Sequence, residues 1–207
     1  MIKRLNKKVN AMETTPRKPA EKKAQGNLCR YSPWTAPFFD NLVRKIFQNP
    51  EKIAGPYVRP GMTVMDIGCG PGFFTLAMAR MVGPEGRVIA IDMQQEMLDL
   101  VKRKSDRLGL SDRIRFHRCR QDSLGMGEKA GFILSFYMVH EVPDRGALFR
   151  QVSGLLEPGG KYLIVEPGFH VSQEAFEDTL RHAEEAGFAV EQRPKVLLSR
   201  AALLGRR

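Results

Sequence analysis

The chain has 207 residues, 43% of them hydrophobic and 27% charged, which suits one globular domain with or without a tail. No stretch approaches the roughly 18 apolar residues of a membrane-spanning helix, and no apolar region follows the basic start, so we expect neither a membrane span nor a secretory signal. Three widely spaced cysteines, Cys29, Cys69 and Cys119, exclude a disulfide framework and a CxxC zinc site, so we expect no metal site and a reduced, cytoplasmic setting.

The net charge of +10 is concentrated at the start of the chain. Residues 1–25 carry eight Lys and Arg side chains against two Glu. Such an arm can bind nucleic acid or anionic lipid weakly, and it can equally be a solvated leader with low apolar content. We predict that residues 1–30 are a basic, flexible segment and leave both roles open.

Residues 31–58 are predicted to form a helical extension. Apolar side chains recur at helical spacing between Phe38 and Phe47, and Pro50 follows the end of that pattern. A second short helical piece is predicted near residues 51–55. The extension therefore precedes the first predicted strand as a separate element.

From Met62 onward, short apolar runs alternate with longer helical patterns. This alternation predicts βαβ units, a mainly parallel sheet and right-handed crossovers that place helices on both faces. The predicted strands are 63–68, 87–92, 113–119, 132–142 and 161–167, with a β-compatible end at 188–204, and the predicted helices are 73–82, 94–110, 147–156 and 173–188.

A glycine-rich loop is the most informative stretch. The segment VMDIGCGPGFF places Gly68, Gly70 and Gly72 between a predicted strand and a predicted helix. Glycines let the backbone turn tightly and approach a ligand, and the helix start favours negatively charged groups. A dinucleotide fingerprint would need glycine at position 73, which is Phe73, and Asp66 precedes the loop. The pattern therefore favours a cofactor that needs an acidic group over a pyrophosphate.

The next predicted strand, RVIAID, ends in Asp92. A carboxylate at the tip of the second strand can accept hydrogen bonds from the two hydroxyls of a ribose. It can also cap the helix that starts with QQEML. The two roles are compatible, so Asp92 can hold the ribose and cap the helix at the same time.

Four motifs together resemble the class I S-adenosylmethionine-dependent methyltransferases. They are VMDIGCGPG, VIAIDMQQEML, FILSFYMVHEVPD and LLEPGGKYLIVEP, and the similarity covers residues 60–204, closest to the branch of quinone-biosynthesis and arsenite methyltransferases. The resemblance implies an α/β, Rossmann-like, seven-stranded sheet, mostly parallel with an antiparallel last strand. AGFAV would be the sixth strand and RPKVLLSRAALL the seventh, within a methyltransferase domain at 59–207.

The resemblance also implies where S-adenosylmethionine binds. Asp66, before the loop, would approach the amino group of the cofactor's methionine part, which the glycine loop would line. Asp92, at the end of the second strand, would hold the ribose, and Met93 would pack against the adenine. The cofactor residues expected on this basis are Asp66, Gly68, Cys69, Gly70, Gly72, Asp92 and Met93.

The adenine contact departs from the family pattern. After the third strand, relatives usually carry Gly-Asp-Ala, whose Asp meets the adenine amino group. In this chain Arg120 stands at that position when the segment is aligned on Leu124. Gln121 and Asp122 are the remaining candidates for that contact.

The end of the fourth strand is where family members place acceptor contacts. We predict His140 as a base near neutral pKa and Tyr137 as a second catalytic candidate, although His140 can instead be a structural residue of a turn and Tyr137 a core residue. Glu166, at the tip of the fifth strand, can likewise be a residue of the functional site or an ordinary surface residue. The helix of Trp34 and Phe38 can form a lid over an apolar or planar acceptor, or can pack on the sheet edge.

Three functions fit these observations. The favoured one is in-line methyl transfer from S-adenosylmethionine, with S-adenosylhomocysteine as product, to a small-molecule acceptor by a monomer or homodimer. The second is RNA or protein methylation that docks through the basic N-terminus, although Asn/Asp-Pro-Pro-Tyr is absent from the fourth strand. The third is a non-catalytic scaffold that binds the cofactor. A thiol–metalloid reaction at Cys29 and Cys119 would need thiolates that converge, and isolated thiols are the simpler interpretation.

Overall fold

Seven strands form one sheet in the computed structural model, which describes residues 48–207. The predictions for residues 1–30, Cys29, Trp34 and Phe38 lie outside the described residues, as does most of the extension 31–58. The strands are β1 Thr63–Ile67, β2 Arg87–Asp92, β3 Ile114–Arg118, β4 Ala130–Phe136, β5 Leu156–Pro167, β6 Phe188–Gln192 and β7 Ser199–Arg206.

Five helices connect or precede these strands within the described chain. They are α1 Pro50–Ile53, α2 Phe73–Met81, α3 Gln95–Leu108, α4 Arg145–Leu155 and α5 Gln173–Glu185, and single 3₁₀ turns lie at Ser111–Arg113 and Val139–Glu141. No helix between residues 48 and 207 has the length and apolar character needed to cross a bilayer.

The strand order is β3-β2-β1-β4-β5-β7-β6. All pairs among β1 to β5 are parallel, whereas β7 is antiparallel to both β5 and β6. The predicted seven-stranded, mostly parallel sheet with an antiparallel last strand is therefore confirmed. β7 begins at Ser199, later than the predicted RPKVLLSRAALL, because residues 193–198 form a loop in which Leu198 has a positive φ of 55°.

Alternate strand residues face two separate hydrophobic layers. Val64 packs in the layer covered by α1, α2 and α3, whereas its neighbour Met65 packs in the layer covered by α4 and α5. The central strands read as continuous apolar runs because both of their faces are covered. The helices thus lie on both faces of the sheet, as predicted.

Local signals in the sequence account for several helix boundaries. α3 ends at Gly109, which takes the left-handed conformation (φ 64°) that glycine adopts without strain. Asp144 and Ser172 begin α4 and α5, and each side chain accepts a backbone N–H hydrogen bond from the residue three positions later. β4 ends at Phe136, short of the predicted 142, because Tyr137 has a φ of 60°.

Candidate functional site

A cavity of about 880 Å³ lies at the carboxyl ends of the central strands. From β1 the chain moves outward through β2 to β3 and then returns to the other side of β1 as β4. The loops after β1 and β4 therefore diverge and leave a crevice between them, which is where open α/β sheets bind ligands. Its walls are the loops after β1, β2, β3 and β4, with parts of α4, the loop after β5 and the loop before β7.

The glycine loop between β1 and α2 forms one wall. Gly68 and Cys69 both donate backbone hydrogen bonds to the carbonyl of Ile91 in β2, at 2.8 and 3.0 Å. Gly68, Gly70 and Gly72 have positive φ values of 73°, 50° and 86°. Glycine is favoured at all three positions because other residues rarely adopt this conformation. The loop is thus tied to the tip of β2.

The three glycines differ in what surrounds them. A Cβ at Gly70 would have none of the described atoms within 4 Å, so a side chain there would occupy cavity space. At Gly68 a Cβ would lie 2.9 Å from Met138, and at Gly72 it would lie 2.9 Å from Val101. Gly68 and Gly70 line the cavity, whereas Gly72 is outside its described lining and allows α2 to begin against α3.

Asp92 links the glycine loop to the start of α3. One of its carboxylate oxygens accepts the backbone N–H of Gly70 and the other accepts that of Gln94, both at 2.9 Å. The side chain is 8% exposed and lines the cavity, and this burial raises its pKa despite the hydrogen bonds. The N-cap of α3 is Gln94, so Asp92 supports the turn before the helix and does not cap it.

Asp66 and Cys69 lie deeper in the same wall. Asp66 is 2% exposed, and its carboxylate accepts a hydrogen bond of 2.5 Å from the hydroxyl of Thr75 in α2. Burial and the nearby carboxylates of Asp66 and Asp92 raise the pKa of the Cys69 thiol, which favours its neutral form. Met93 lies beside Asp92 on the cavity surface.

The loop after β3 closes the cavity on the side of β2. Arg120, Gln121 and Asp122 all line it, so the structure brings the three residues of the unusual segment to the cavity. Gln151 of α4 anchors this loop: its side-chain oxygen accepts the N–H of Leu124 at 2.8 Å, and its amide nitrogen donates to the carbonyl of Asp122 at 3.2 Å. The sequence analysis missed Gln151, because helical periodicity does not show which loop a polar side chain will reach.

The loop after β4 forms the opposite wall. The Tyr137 ring stacks on Phe136 with 4.3 Å between centroids, and Phe169 meets it edge-on at 6.5 Å. Its hydroxyl lies 2.6 Å from the Ser199 hydroxyl and accepts a hydrogen bond of 2.7 Å from the Gln48 amide. Tyr137 therefore lines the cavity where the loop after β4 meets the start of β7 and Gln48.

His140 lies behind this wall, outside the described cavity lining. Its Nδ1 is hydrogen-bonded to Glu166, whose side chain is only 1% exposed. That hydrogen bond raises the pKa of His140, because it favours the protonated ring. The neighbouring Glu141 does line the cavity, and burial raises the pKa of its carboxyl.

Most of the predicted site residues thus meet at one cavity. Two predicted residues are outside its described lining, Gly72 at the start of α2 and His140 behind the β4 loop. The predicted residues that line it are Asp66, Gly68, Cys69, Gly70, Asp92, Met93, Gln121, Asp122 and Tyr137. Cys119 also lines it, and burial raises the pKa of its thiol to about 11.

Comparison with known proteins adds a family match. The model of the methyltransferase domain family matches residues 59–195. A demethylmenaquinone methyltransferase of Lactobacillus johnsonii is 32% identical over 110 residues, which cover 53% of this chain and 45% of that protein. The ubiquinone/menaquinone biosynthesis C-methyltransferase UbiE of Hahella chejuensis is 30% identical over 110 residues, covering 53% and 44%. The match therefore spans less than half the length of each relative.

A solved structure is similar over most of the chain. A SAM-dependent methyltransferase of Aquifex aeolicus superposes with a TM-score of 0.75 and 24% identity, covering 84% of this chain and 98% of that one. This likeness is one of fold, and it includes the sheet that carries the cavity.

Proposed function

This chain belongs to the methyltransferase domain family, and from that premise we propose that it transfers the methyl group of S-adenosylmethionine to a small-molecule acceptor. The observation that carries the proposal is the buried Asp92 carboxylate, hydrogen-bonded to the glycine loop, in a large cavity where the strand order reverses. A nucleoside ligand needs a carboxylate that can bind its ribose and space beside the glycine loop. Asp92 offers the first and Gly70 the second.

The residues of the cavity fit this cofactor chemically. Each oxygen of Asp92 accepts one backbone N–H, which leaves lone pairs for the two hydroxyls of a ribose. The carboxylates of Asp66 and Asp92 line the cavity and favour a cationic ligand over a pyrophosphate. When bound, S-adenosylmethionine supplies a sulfonium group whose methyl is a strong electrophile.

The protein's contribution is mainly to position the reactants and exclude water. In this proposal Asp66 and the Gly68–Gly70 segment hold the methionine part, and Asp92 holds the ribose. Met93 packs against the adenine, and Gln121 or Asp122 meets the adenine amino group in place of the usual acid. Support comes from the fact that all these residues line one cavity.

A planar, partly apolar acceptor is the class that we propose. The two relatives are named for menaquinone and ubiquinone biosynthesis. In this chain the β4 side of the cavity offers the rings of Phe136, Tyr137 and Phe169, and Phe169 is 81% exposed at its rim. Aromatic walls favour flat ligands because rings stack or meet edge-on. An acceptor of this kind would lie between these rings and the methyl group.

The extension 31–58 is proposed as the cover of this acceptor site. The described chain begins at Gln48, whose side chain lines the cavity and donates a hydrogen bond to Tyr137. The position of Gln48 beside the aromatic wall supports this proposal, because residues 31–47 immediately precede it in the sequence. A cover there would exclude water from the reacting groups.

Two finer points belong to the same proposal. A cytoplasmic location is supported by the free thiols of Cys69 and Cys119, which suit a reducing compartment. For the oligomeric state we propose a monomer or a homodimer. No contact within residues 48–207 specifically favours an RNA or protein acceptor, so those acceptors are alternative outcomes of the experiment.

Two measurements test the proposal on the full chain. Calorimetry should show binding of S-adenosylmethionine and of S-adenosylhomocysteine. Incubation with methyl-labelled cofactor and a small-molecule cell extract should then transfer the label to a low-mass product. Binding without transfer would favour the scaffold, and label in RNA or protein, lost when residues 1–25 are deleted, would favour the macromolecular acceptor. Absence of cofactor binding would refute the proposal.

A further inference from the structure

Three ionisable side chains connect the protein interior to the cavity wall. Glu166, near the end of β5, is 1% exposed, and one of its oxygens accepts the Val139 N–H at 2.8 Å. Its other oxygen is hydrogen-bonded to Nδ1 of His140, and Nε2 of His140 lies 3.9 Å from a carboxylate oxygen of Glu141. Of these three residues, Glu141 is the one that lines the cavity.

In this arrangement His140 does not directly contact an acceptor in the cavity. A carboxylate can only accept hydrogen bonds, so Nδ1 of His140 carries a hydrogen that it donates to Glu166. The other ring nitrogen faces Glu141, and the His170 ring meets that of His140 edge-on at 5.1 Å. Both nitrogens therefore face carboxylates, and the His140 ring lies next to the side chain of Glu141.

We infer that Glu141 receives the proton which the methyl acceptor must lose, and that His140 and Glu166 are positioning residues that hold it at the cavity wall. The inference rests on the proposed function and deepens it by naming the acceptor class: neutral molecules with a weakly acidic O–H or C–H group. In this step the acceptor's bond to hydrogen breaks and its electron pair stays on the acceptor atom. The proton bonds to a Glu141 oxygen and later passes to water.

The surroundings of Glu141 support a role as base. Burial raises its pKa, and the carboxylates of Glu166 and Asp92 raise it further, whereas the neighbouring His140 lowers it. Arg145 of α4 acts on His140, whose pKa it lowers against the larger effect of Glu166. A carboxylate with a raised pKa is a better proton acceptor than an ordinary one. Activity on such acceptors should thus rise with pH through this pKa.

Two probe acceptors of the same shape separate proton removal from binding. At pH 7.5 2-naphthol is mostly un-ionised, whereas naphthalene-2-thiol is mostly ionised and has no proton to lose. For Glu141→Gln we expect kcat/KM for 2-naphthol to fall roughly 100-fold or more, the usual effect of losing a general base. The thiol should be methylated at nearly the wild-type rate, and cofactor affinity by calorimetry should be unchanged. Glu85→Gln, an exposed carboxyl before β2, is the matched control.

The positioning role of His140 has its own readout. His140→Gln removes a positive charge beside Glu141, so the pKa of Glu141 should rise. Carbon-13 titration of the Glu carboxyls, with Glu141 identified by its absence from Glu141→Gln, measures this shift without any acceptor. In the wild type we expect a midpoint above the ordinary value for Glu, and a higher one in His140→Gln.

The outcomes are distinguishable from those of the proposed function. Equal losses on both probes, or no loss on 2-naphthol, would overturn the inference while leaving methyl transfer intact. If wild type methylates neither probe, the titration decides: an ordinary midpoint for Glu141 that His140→Gln does not move overturns it. Failure of the wild type to bind S-adenosylmethionine would instead refute the proposed function.

Discussion

Replacing Asp92 with alanine tests the proposed ribose contact. The carboxylate already accepts hydrogen bonds from Gly70 and Gln94, and it lies in the cavity wall. Charge-assisted hydrogen bonds contribute about 1.5–3 kcal/mol. At about 1.4 kcal/mol for each factor of ten, Asp92→Ala should weaken S-adenosylmethionine binding by roughly 10- to 140-fold.

The effect on folding should be smaller. Both backbone N–H groups released by the change border an open cavity, where water can replace the lost acceptor. Removing Asp92 also removes a carboxylate whose burial is unfavourable, since its pKa is raised. We therefore expect the free energy of unfolding to change by less than about 1.5 kcal/mol.

Calorimetry and urea denaturation measure these two quantities. Asp99→Ala, the same substitution at an exposed position of α3, is the control. The pH dependence gives a second check: ribose binding needs the charged carboxylate, so affinity in the wild type should decline as pH falls through the raised pKa of Asp92. Wild-type affinity in Asp92→Ala would refute the proposed ribose position.

Three further predictions concern the loops around the cavity. Gly70→Ala should fold with a strain of about 1–2 kcal/mol and bind the cofactor weakly. Gly72→Ala, whose Cβ would meet Val101, should lower the melting temperature more and leave the cofactor affinity of the folded protein intact. Equal effects of the two variants on cofactor binding would contradict this prediction. Gln151→Ala should cost about 1 kcal/mol of stability and speed amide exchange in residues 119–124, and unchanged exchange would show that other contacts hold the loop. Because Glu166 raises the pKa of His140, their stabilisation should be complete below about pH 6.5, the ordinary value for His, and be lost as pH rises through the folded-state pKa. Denaturation across pH should show a flatter dependence for Glu166→Gln, and parallel curves would disprove the coupling.

Much of the fold was predictable because the signals are local. Glycine at 109 ends α3, Asp144 and Ser172 begin α4 and α5, and the apolar runs of β1 and β2 require burial on both faces. The glycine loop was predictable for the same reason, because three glycines with positive φ values between a strand and a helix leave a clear pattern. The family resemblance read from these motifs is confirmed by the match over residues 59–195.

The acceptor side was harder to predict because its contacts join distant parts of the chain. His140 and Glu141 are adjacent in sequence, yet the 3₁₀ turn after β4 places one behind the wall and the other on the cavity. That choice depends on Glu166, 26 residues away in β5, which accepts the His140 hydrogen bond. We therefore propose Glu141 as the base, next to the predicted His140.

The sequence alone determined the βαβ order, the glycine loop and the acid at the tip of β2, since each depends on neighbouring residues and on the period of apolar side chains. The tertiary structure alone decided which polar groups share the cavity: Gln151 under the loop after β3, Glu141 on the wall and Glu166 behind it. The reason is physical. Burial and pairing between strands and helices far apart in sequence set where a side chain points and how readily it holds a proton.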